Sequence, residues 1–520
     1  MTTFDGDVSK LDLDDAATWD LIGSGNTKGC FQLESRLGRT MAKKLKPENI
    51  EQLSALIAIL RPGSLEAMRD GKSVSNHYID KKNGNESVDF FHESLIPILN
   101  TTYGEMIYQE QAIRIAKEIA GFTPEEADNL RKAIGKKQAN IMAALKQSFL
   151  DGCKRLGYVN DNEAEQIFGW IEKSQRYSFN KSHSVSYAIN CYLSAYAKAH
   201  YPIEFFTAYL QFAEDKMDPH TEIKELYQNA TEMGISIEKP DLRLLNNTFI
   251  LKNKKISFGL TNIKGFGDSA YHKLIQELDG KSMKIQDMKW MNLLHLLSKL
   301  NSTSAKAILQ SGAADFIGLS RNKMMFDYDI FCELTTKETS FVIGHIDIVG
   351  ADKKLEDHIS NLINNGKITT KRKDVINNLL SSLYHPPYSM DDHIDWIVDT
   401  EHTLLGCNIT CSKVDRYDTS MINYSCQDFK QGNTSSNLLL VGEIENMNIT
   451  KVKNGQSKGK EMAFLTITDG TAVIDSVICF AEKFKEFRNQ LFVGNVLVFS
   501  GNKSKDKDSF VVDKIFLPRT

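Results

Sequence analysis

Along the first third of the chain, apolar residues recur at helical spacing. Val185, Ala188, Ile189, Tyr192, Leu193, Tyr196 and Ala199 form one stripe, which predicts an amphipathic helix after Ser184. That helix should end at Tyr201-Pro202, because proline pushes the residue before it out of the α region. Upstream, Thr123-Pro124-Glu125-Glu126 is a helix start: Thr as N-cap, Pro at the first helical position, Glu three residues after the cap. The helix it opens should run through Leu130 and stop at Gly135.

The pattern then changes twice. Between Asp218 and Arg321 it is mixed, with Lys239-Pro240-Asp241 and Phe258-Gly259 as turns around short strands. From Phe331 to Ser435 it weakens into a charged, Asn-rich connector, broken at His385-Pro386-Pro387 and readable as a small helical domain. The last 85 or so residues are β-rich. Leu438–Ile444, Glu461–Thr468, Ala472–Phe480 and Val496–Ser500 read as strands, with turns at Asn454-Gly455, Asp469-Gly470 and Gly501-Asn502. A helical Glu482–Gln490 interrupts them. Roughly five strands with a helix between the third and fourth is the order of an OB-fold. The fold class expected is therefore multidomain: a mainly α-helical first part, then an all-β OB-fold.

Composition narrows the field. A chain of 520 residues is long enough for about three or four domains. Its 41% hydrophobic and 25% charged residues are an ordinary globular mixture. A formal net charge of -4 excludes a dense basic tail, so any nucleic-acid surface must be local. The longest apolar runs, such as Ala55–Leu60, fall far short of a membrane span. The acidic first residues carry no secretory signal, and eight scattered Cys without a CxxC fit reduced thiols. A cytoplasmic location is expected.

Four segments carry candidate chemistry. Arg176–Ser184 leads into the apolar helix, whose first amides and positive dipole end favour an anion; Lys181 and His183 add to a phosphate pocket. An ordinary Ser-capped helix with a solvated Lys is the alternative. Arg131, Lys132, Lys136, Lys137 and Lys146 lie in a stretch, Arg131–Leu150, that holds no acidic residue and suggests a phosphate-facing surface. Ile263-Lys264-Gly265-Phe266-Gly267 fits the hairpin of a helix-hairpin-helix unit, where small residues let backbone amides approach DNA phosphates. Leu300–Asp315, with Gly312-Ala313, is its candidate companion. Finally, Lys451, Lys453, Lys458 and Lys460 precede Phe464, a basic loop and strand aromatic suited to single-stranded nucleic acid. The alternative there is a solvated hairpin with its Phe in the barrel core. Cys407, Cys411, Cys426 and His402 match no usual zinc spacing, so no metal site is expected.

Eight blocks in order carry a resemblance. They are Gly29–Ser35; Leu60-Arg61-Pro62-Gly63; His92–Leu95; Tyr103-Gly104 with Tyr108–Gln111; Leu130–Lys137; Phe179–Ser184; Lys198–Pro202; and Gly259–Gly267. The chain resembles the C-family bacterial DNA polymerases, the polymerase III alpha subunits, densely over about Leu11–Asp315 and more loosely beyond. The resemblance implies a palm–fingers junction and fingers over residues 1–215, a helix-hairpin-helix region over 216–330, a variable connector over 331–435 and an OB-fold over 436–520. It also implies an incoming-nucleotide pocket formed by Arg61, Arg131, Lys136, Lys137, Lys181 and His183, with Tyr177 and Phe179 shaping the base site. His183 would pack near the sugar. DNA contacts are expected at Ile263, Lys264, Gly265, Gly267, Lys451, Lys453, Lys458, Lys460 and Phe464.

The family's palm aspartates, which hold two Mg²⁺ ions, have no counterpart in the sequence. The matching region opens at Leu11–Asp15 like the family's linker into the fingers, and Asp5 and Asp7 read as an acidic leader. The resemblance therefore implies no catalytic residue in this chain and Mg²⁺ held by a palm-bearing partner. Primer-template DNA and dNTP are further expected ligands, with no membrane. A sliding clamp is a candidate partner, although no glutamine-led hydrophobic motif stands between Phe331 and Ser435. The competing function is a non-catalytic DNA-binding remnant using the hairpin and OB regions alone.

Overall fold

A capping box opens the Pro124–Gly135 helix as expected: Thr123 N–H donates to Glu126 Oε2 at 2.8 Å, and Glu126 N–H donates to Thr123 Oγ1 at 3.2 Å. The computed structural model describes residues 10–135, 139–174, 177–279, 284–432, 437–504 and 509–519, and the chain divides into two units, Met1–Phe205 and Phe206–Thr520.

The first unit is helical, built on two cores. One surrounds the Ile50–Ile59 helix, buried continuously from Gln52 to Ile59, with Trp19, Tyr78, Tyr108, Ala188 and Tyr192 packed about it. The other joins the helices Gln109–Ala120, Pro124–Gly135, Ala139–Leu156 and Asp161–Ser174 through Ile115, Ile119, Leu130, Phe149, Ile167 and Phe168. A two-stranded ribbon, β1 (Met68–Arg69) and β2 (Lys72–Ser73), leans on a buried carboxylate. Glu105, 1% exposed, receives both Arg69 guanidinium nitrogens and the Lys81 ammonium at 3.0 Å.

The long helix differs from its predicted bounds. It spans Lys181–His200 with Asn180 as N-cap, four residues ahead of the expected start. Its buried face is Ser184, Ala188, Cys191, Tyr192, Ala195 and Lys198, while Ile189 is 38% exposed. Polar residues account for the rotation. Ser184 Oγ donates to Ser54 O at 2.5 Å, and the buried Lys198 ammonium donates to Asn26 O at 2.9 Å and Lys28 O at 2.8 Å. Hydrogen-bonded polar groups can occupy a core face that an apolar count assigns elsewhere.

In the second unit a small sheet pairs β3 (Ile237–Glu238) and β4 (Ile250–Lys252) on either side of β5 (Lys255–Ser257). The turns at Lys239-Pro240 and Phe258-Gly259 follow β3 and β5. Helices Asp268–Leu278, Trp290–Leu297, Ser302–Gln310 and Arg321–Cys332 come next, and then Thr336–Gly344, Leu355–Asn365, Thr370–Tyr384 and Ile394–Leu405 occupy the region read as a connector. The chain ends in a closed barrel of β6 (Leu438–Lys451), β7 (Glu461–Thr468), β8 (Val473–Cys479), β9 (Val496–Lys503) and β10 (Phe510–Phe516), with the Ala481–Phe487 helix between the third and fourth strands. Its order, β10-β8-β7-β6-β9, closes by antiparallel β9–β10 pairing and runs β8–β10 parallel, the OB arrangement.

Two strand readings are corrected. β6 continues to Lys451, and Gly501-Asn502 lies inside β9 rather than at a turn. A Cβ at Gly501 would meet Val511 O at 2.0 Å, so this glycine serves close strand approach.

Candidate functional site

At the start of the Lys181–His200 helix, the chain makes a two-residue ribbon. Phe179 N–H donates to Ile107 O at 2.9 Å and Gln109 N–H donates to Phe179 O at 2.9 Å, which fixes the backbone just before the helix. Asn180 Oδ1 accepts from His183 N–H at 2.9 Å, satisfying one of the first amides. Glu110 reaches the same place from the first turn of its own helix. Its Oε1 accepts from Asn180 Nδ2 and its Oε2 from the Lys181 amide, both at 2.9 Å.

This changes the reading of the helix end as an anion seat. The Lys181 and His183 amides already have acceptors, and Glu110 supplies the negative charge that the dipole favours. Cationic side chains carry the remaining attraction. Lys181 Nζ lies 3.0 Å from Glu51 Oε1 and 5.4 Å from the Tyr108 ring centre. Arg61 places its guanidinium carbon 5.2 Å from the Phe179 ring centre and donates to Gln32 Oε1 at 3.2 Å, while its buried Nε has no hydrogen-bond partner. The exposed His183 ring stands 5.5 Å from Phe179 and 4.0 Å from Tyr187. Arg61, Phe179, Lys181 and His183 thus gather on one patch with Tyr108 and Tyr187. His183 is the third helical residue, and the cap is Asn180.

Other nucleotide-site candidates fall elsewhere. Tyr177 sits towards the buried Glu105–Arg69 pair; its phenol is pushed up to about 12 by burial, with Glu105 adding to the rise. Arg131 and Lys132 both pair with Asp128, at 3.0 and 2.7 Å, and Lys146 lies 3.9 Å from Glu165, so these cations are compensated from outside the stretch that suggested a bare basic surface. Lys136 and Lys137 lie outside the described residues. Sequence reasoning missed Gln32, Glu51, Glu110 and Tyr187. Of these, Tyr187 was legible four residues beyond His183, on one helix face.

The hairpin candidates are partly reassigned. Ile263 is a core residue, 1% exposed, and cannot present its side chain to DNA. The Lys264 amide donates to Leu404 O at 2.9 Å, and Gly265 O accepts from Ser304 Oγ at 2.9 Å. The Lys264 side chain, Gly265 and Gly267 are exposed. In the companion segment, Ala313 O accepts from the Leu242 amide at 2.9 Å, and the Arg321 guanidinium fills the space beside Gly312. That guanidinium bridges Asp315 and the buried Glu401, each at 2.9 Å, so this turn is tied into the protein's interior.

On the barrel, Lys453, Lys458 and Lys460 are exposed in the β6–β7 loop, and Lys451 is the last residue of β6. Phe464 is 38% exposed and points out of the barrel. Its cross-strand neighbours are Asn448 on β6 and Ile478 on β8. The alternative of a core Phe is thereby removed, since Ala463 and Leu465 on either side are the residues that enter the core. Among the described residues, no group of three or more His, Cys, Asp or Glu converges as a metal site. Burial raises the Cys407 thiol and pushes Cys411 up to about 11.

Comparison with known proteins adds a second line. The family described as "Bacterial DNA polymerase III alpha subunit finger domain" matches residues 2–157, and "Helix-hairpin-helix motif" matches 234–324. The chain is similar to the DNA polymerase III subunit alpha of Aquifex aeolicus, 30% identical over 516 residues, covering 98% of this chain and 39% of that one. The Pasteurella multocida subunit is 30% identical, with 97% and 41% covered, and the Helicobacter pylori J99 subunit is 33% identical, with 63% and 27% covered. The chain spans about two fifths of the length of the first two relatives. Among the described residues, no helix is long and apolar enough to cross a membrane.

Proposed function

We propose that this chain, which corresponds to the C-terminal part of DNA polymerase III alpha subunits, binds the incoming nucleotide and grips primer-template DNA for replicative synthesis completed by a palm-bearing partner. The observation that carries the reading is the patch at the start of the Lys181–His200 helix. A triphosphate needs cations held in fixed places, and Arg61 and Lys181 supply them beside two aromatic surfaces. A DNA grip alone has no use for such a patch, so it favours the polymerase reading over a non-catalytic remnant.

The roles divide by chemistry. Lys181 and Arg61 bind phosphate oxygens. Phe179 gives the base an apolar face, and His183, packed at a tilt against Tyr187, limits the space around the sugar. Lys264, Gly265 and Gly267 meet duplex phosphates, while Lys451, Lys453, Lys458, Lys460 and Phe464 meet the single-stranded template. Mg²⁺ activates the primer hydroxyl and the leaving pyrophosphate in such chemistry. We assign the ions to the palm-bearing partner, as the family resemblance implies.

The test is reconstitution with a palm-bearing chain. Lys181→Ala should raise the nucleotide KM or lower the rate while DNA affinity holds, and His183→Ala should raise ribonucleotide incorporation. Unchanged kinetics in a folded Lys181→Ala enzyme would remove the phosphate site, and unchanged sugar discrimination would remove His183 from the sugar.

A further inference from the structure

Two carboxylates meet Lys181, and they do so differently. Glu51 touches only the ammonium, at 3.0 Å, and the pair is open to water, with the side chains 48% and 33% exposed. An exposed pair of this kind contributes little and exchanges easily. Glu110 is half-buried and spends its two oxygens on the backbone N–H of Lys181 and the amide of the N-cap Asn180. Asn180 in turn holds His183 N–H, and the residue before Glu110 holds Phe179 O. The helix start and the Phe179 ribbon are therefore braced from one turn, 109–111.

We propose that Glu110 is a positioning residue for phosphate recognition, whereas Glu51 is a displaceable counter-ion that holds Lys181 until a polyphosphate takes its place. The inference rests on the nucleotide reading of this patch. Electrostatics alone would treat both carboxylates as repulsive to a phosphate, so removing either charge would strengthen binding. The geometry says otherwise. Replacing Glu51 by Gln removes a competitor and leaves the backbone untouched. Replacing Glu110 by Gln leaves one of its two donors without an acceptor and loosens the turn that aims Lys181 and His183. The two substitutions should act with opposite sign.

Calorimetric titration of the full chain with inorganic tripolyphosphate, beside thermal unfolding of each variant, decides it. Glu51→Gln should bind roughly three- to five-fold more tightly than wild type, an advantage that shrinks at high salt. Glu110→Gln should bind at least roughly three-fold more weakly despite the lost negative charge. Glu110→Asp keeps the charge and shortens the reach; it too should bind more weakly, and it carries the test if the Gln variant does not fold. Tighter binding by Glu110→Gln to the same extent as Glu51→Gln overturns the positioning role, and unchanged affinity in Glu51→Gln overturns the counter-ion role. Lys181→Ala keeps the two levels apart. If it binds as wild type does, or if wild type binds no tripolyphosphate, the nucleotide reading itself fails. If it loses binding while Glu51→Gln does not change, only this inference falls.

Discussion

Asp327 shows how much one residue's surroundings decide. It is 1% exposed, accepts from Trp290 Nε1 at 2.9 Å and pairs with Lys323 at 2.8 Å, and burial outweighs both partners, pushing its carboxyl from 3.8 to about 6. The folded state then holds a proton that the unfolded state has released. Its stabilising contribution is complete below about pH 4 and is lost as pH rises to about 6, at most about 3 kcal/mol. Urea unfolding across that range should show this slope in wild type and a flatter one in Asp327→Asn; equal slopes would rule the site out. Gly265 and Gly267 separate backbone need from ligand approach in the same way. Gly265 has φ +93° and its Cβ would lie 3.3 Å from Thr303 Cγ2, so Gly265→Ala should cost roughly 1–2 kcal/mol. Gly267, with φ −90° and nothing within 4 Å of a Cβ, should tolerate Ala within about 1 kcal/mol. A bulky residue at 267 should weaken duplex binding without unfolding the protein; full affinity in Gly267→Leu would exclude close DNA approach there.

At the scale of elements, alternation along β7 assigns opposite duties to neighbours. Phe464 faces out and Leu465 faces the barrel core. Leu465→Ala should cost roughly 2–4 kcal/mol of stability. Phe464→Ala should change stability by less than about 1 kcal/mol yet weaken single-stranded oligonucleotide binding by roughly 1–3 kcal/mol, one stacked base. If fluorescence anisotropy shows no loss for Phe464→Ala, the outer face of β7 is not the nucleic-acid surface. Capping worked the same way at two helices. Thr123 was legible because its box is local in sequence, whereas Asn180 was passed over for Ser184 because both residue types cap well.

For the whole molecule, a net charge of -4 means that DNA affinity must come from local cations. Binding to primer-template DNA should therefore be independent of sequence and fall steeply as salt rises. Loss of the residues after 435 should reduce single-strand affinity while leaving duplex affinity largely intact. Equal affinity before and after that truncation would show that the barrel does not hold the template.

The sequence by itself determined the order of helical and β regions and the barrel's strand number class. These follow from periodicity, turn residues and capping, which act over a few neighbouring residues. Ordered blocks also carried the likeness to the polymerase III alpha subunits. Tertiary structure decided the rest. Lys198 and Ser184 face inward because Asn26, Lys28 and Ser54 offer acceptors from distant segments. Ile263 is core because the fold closes around it, whereas Arg131 pairs with Asp128 within one helical turn. Glu51 and Glu110 lie 130 and 71 residues from Lys181, so their meeting with it is not written in any local pattern. Hydrogen bonds and ion pairs depend on distance in space, and only folding sets that distance.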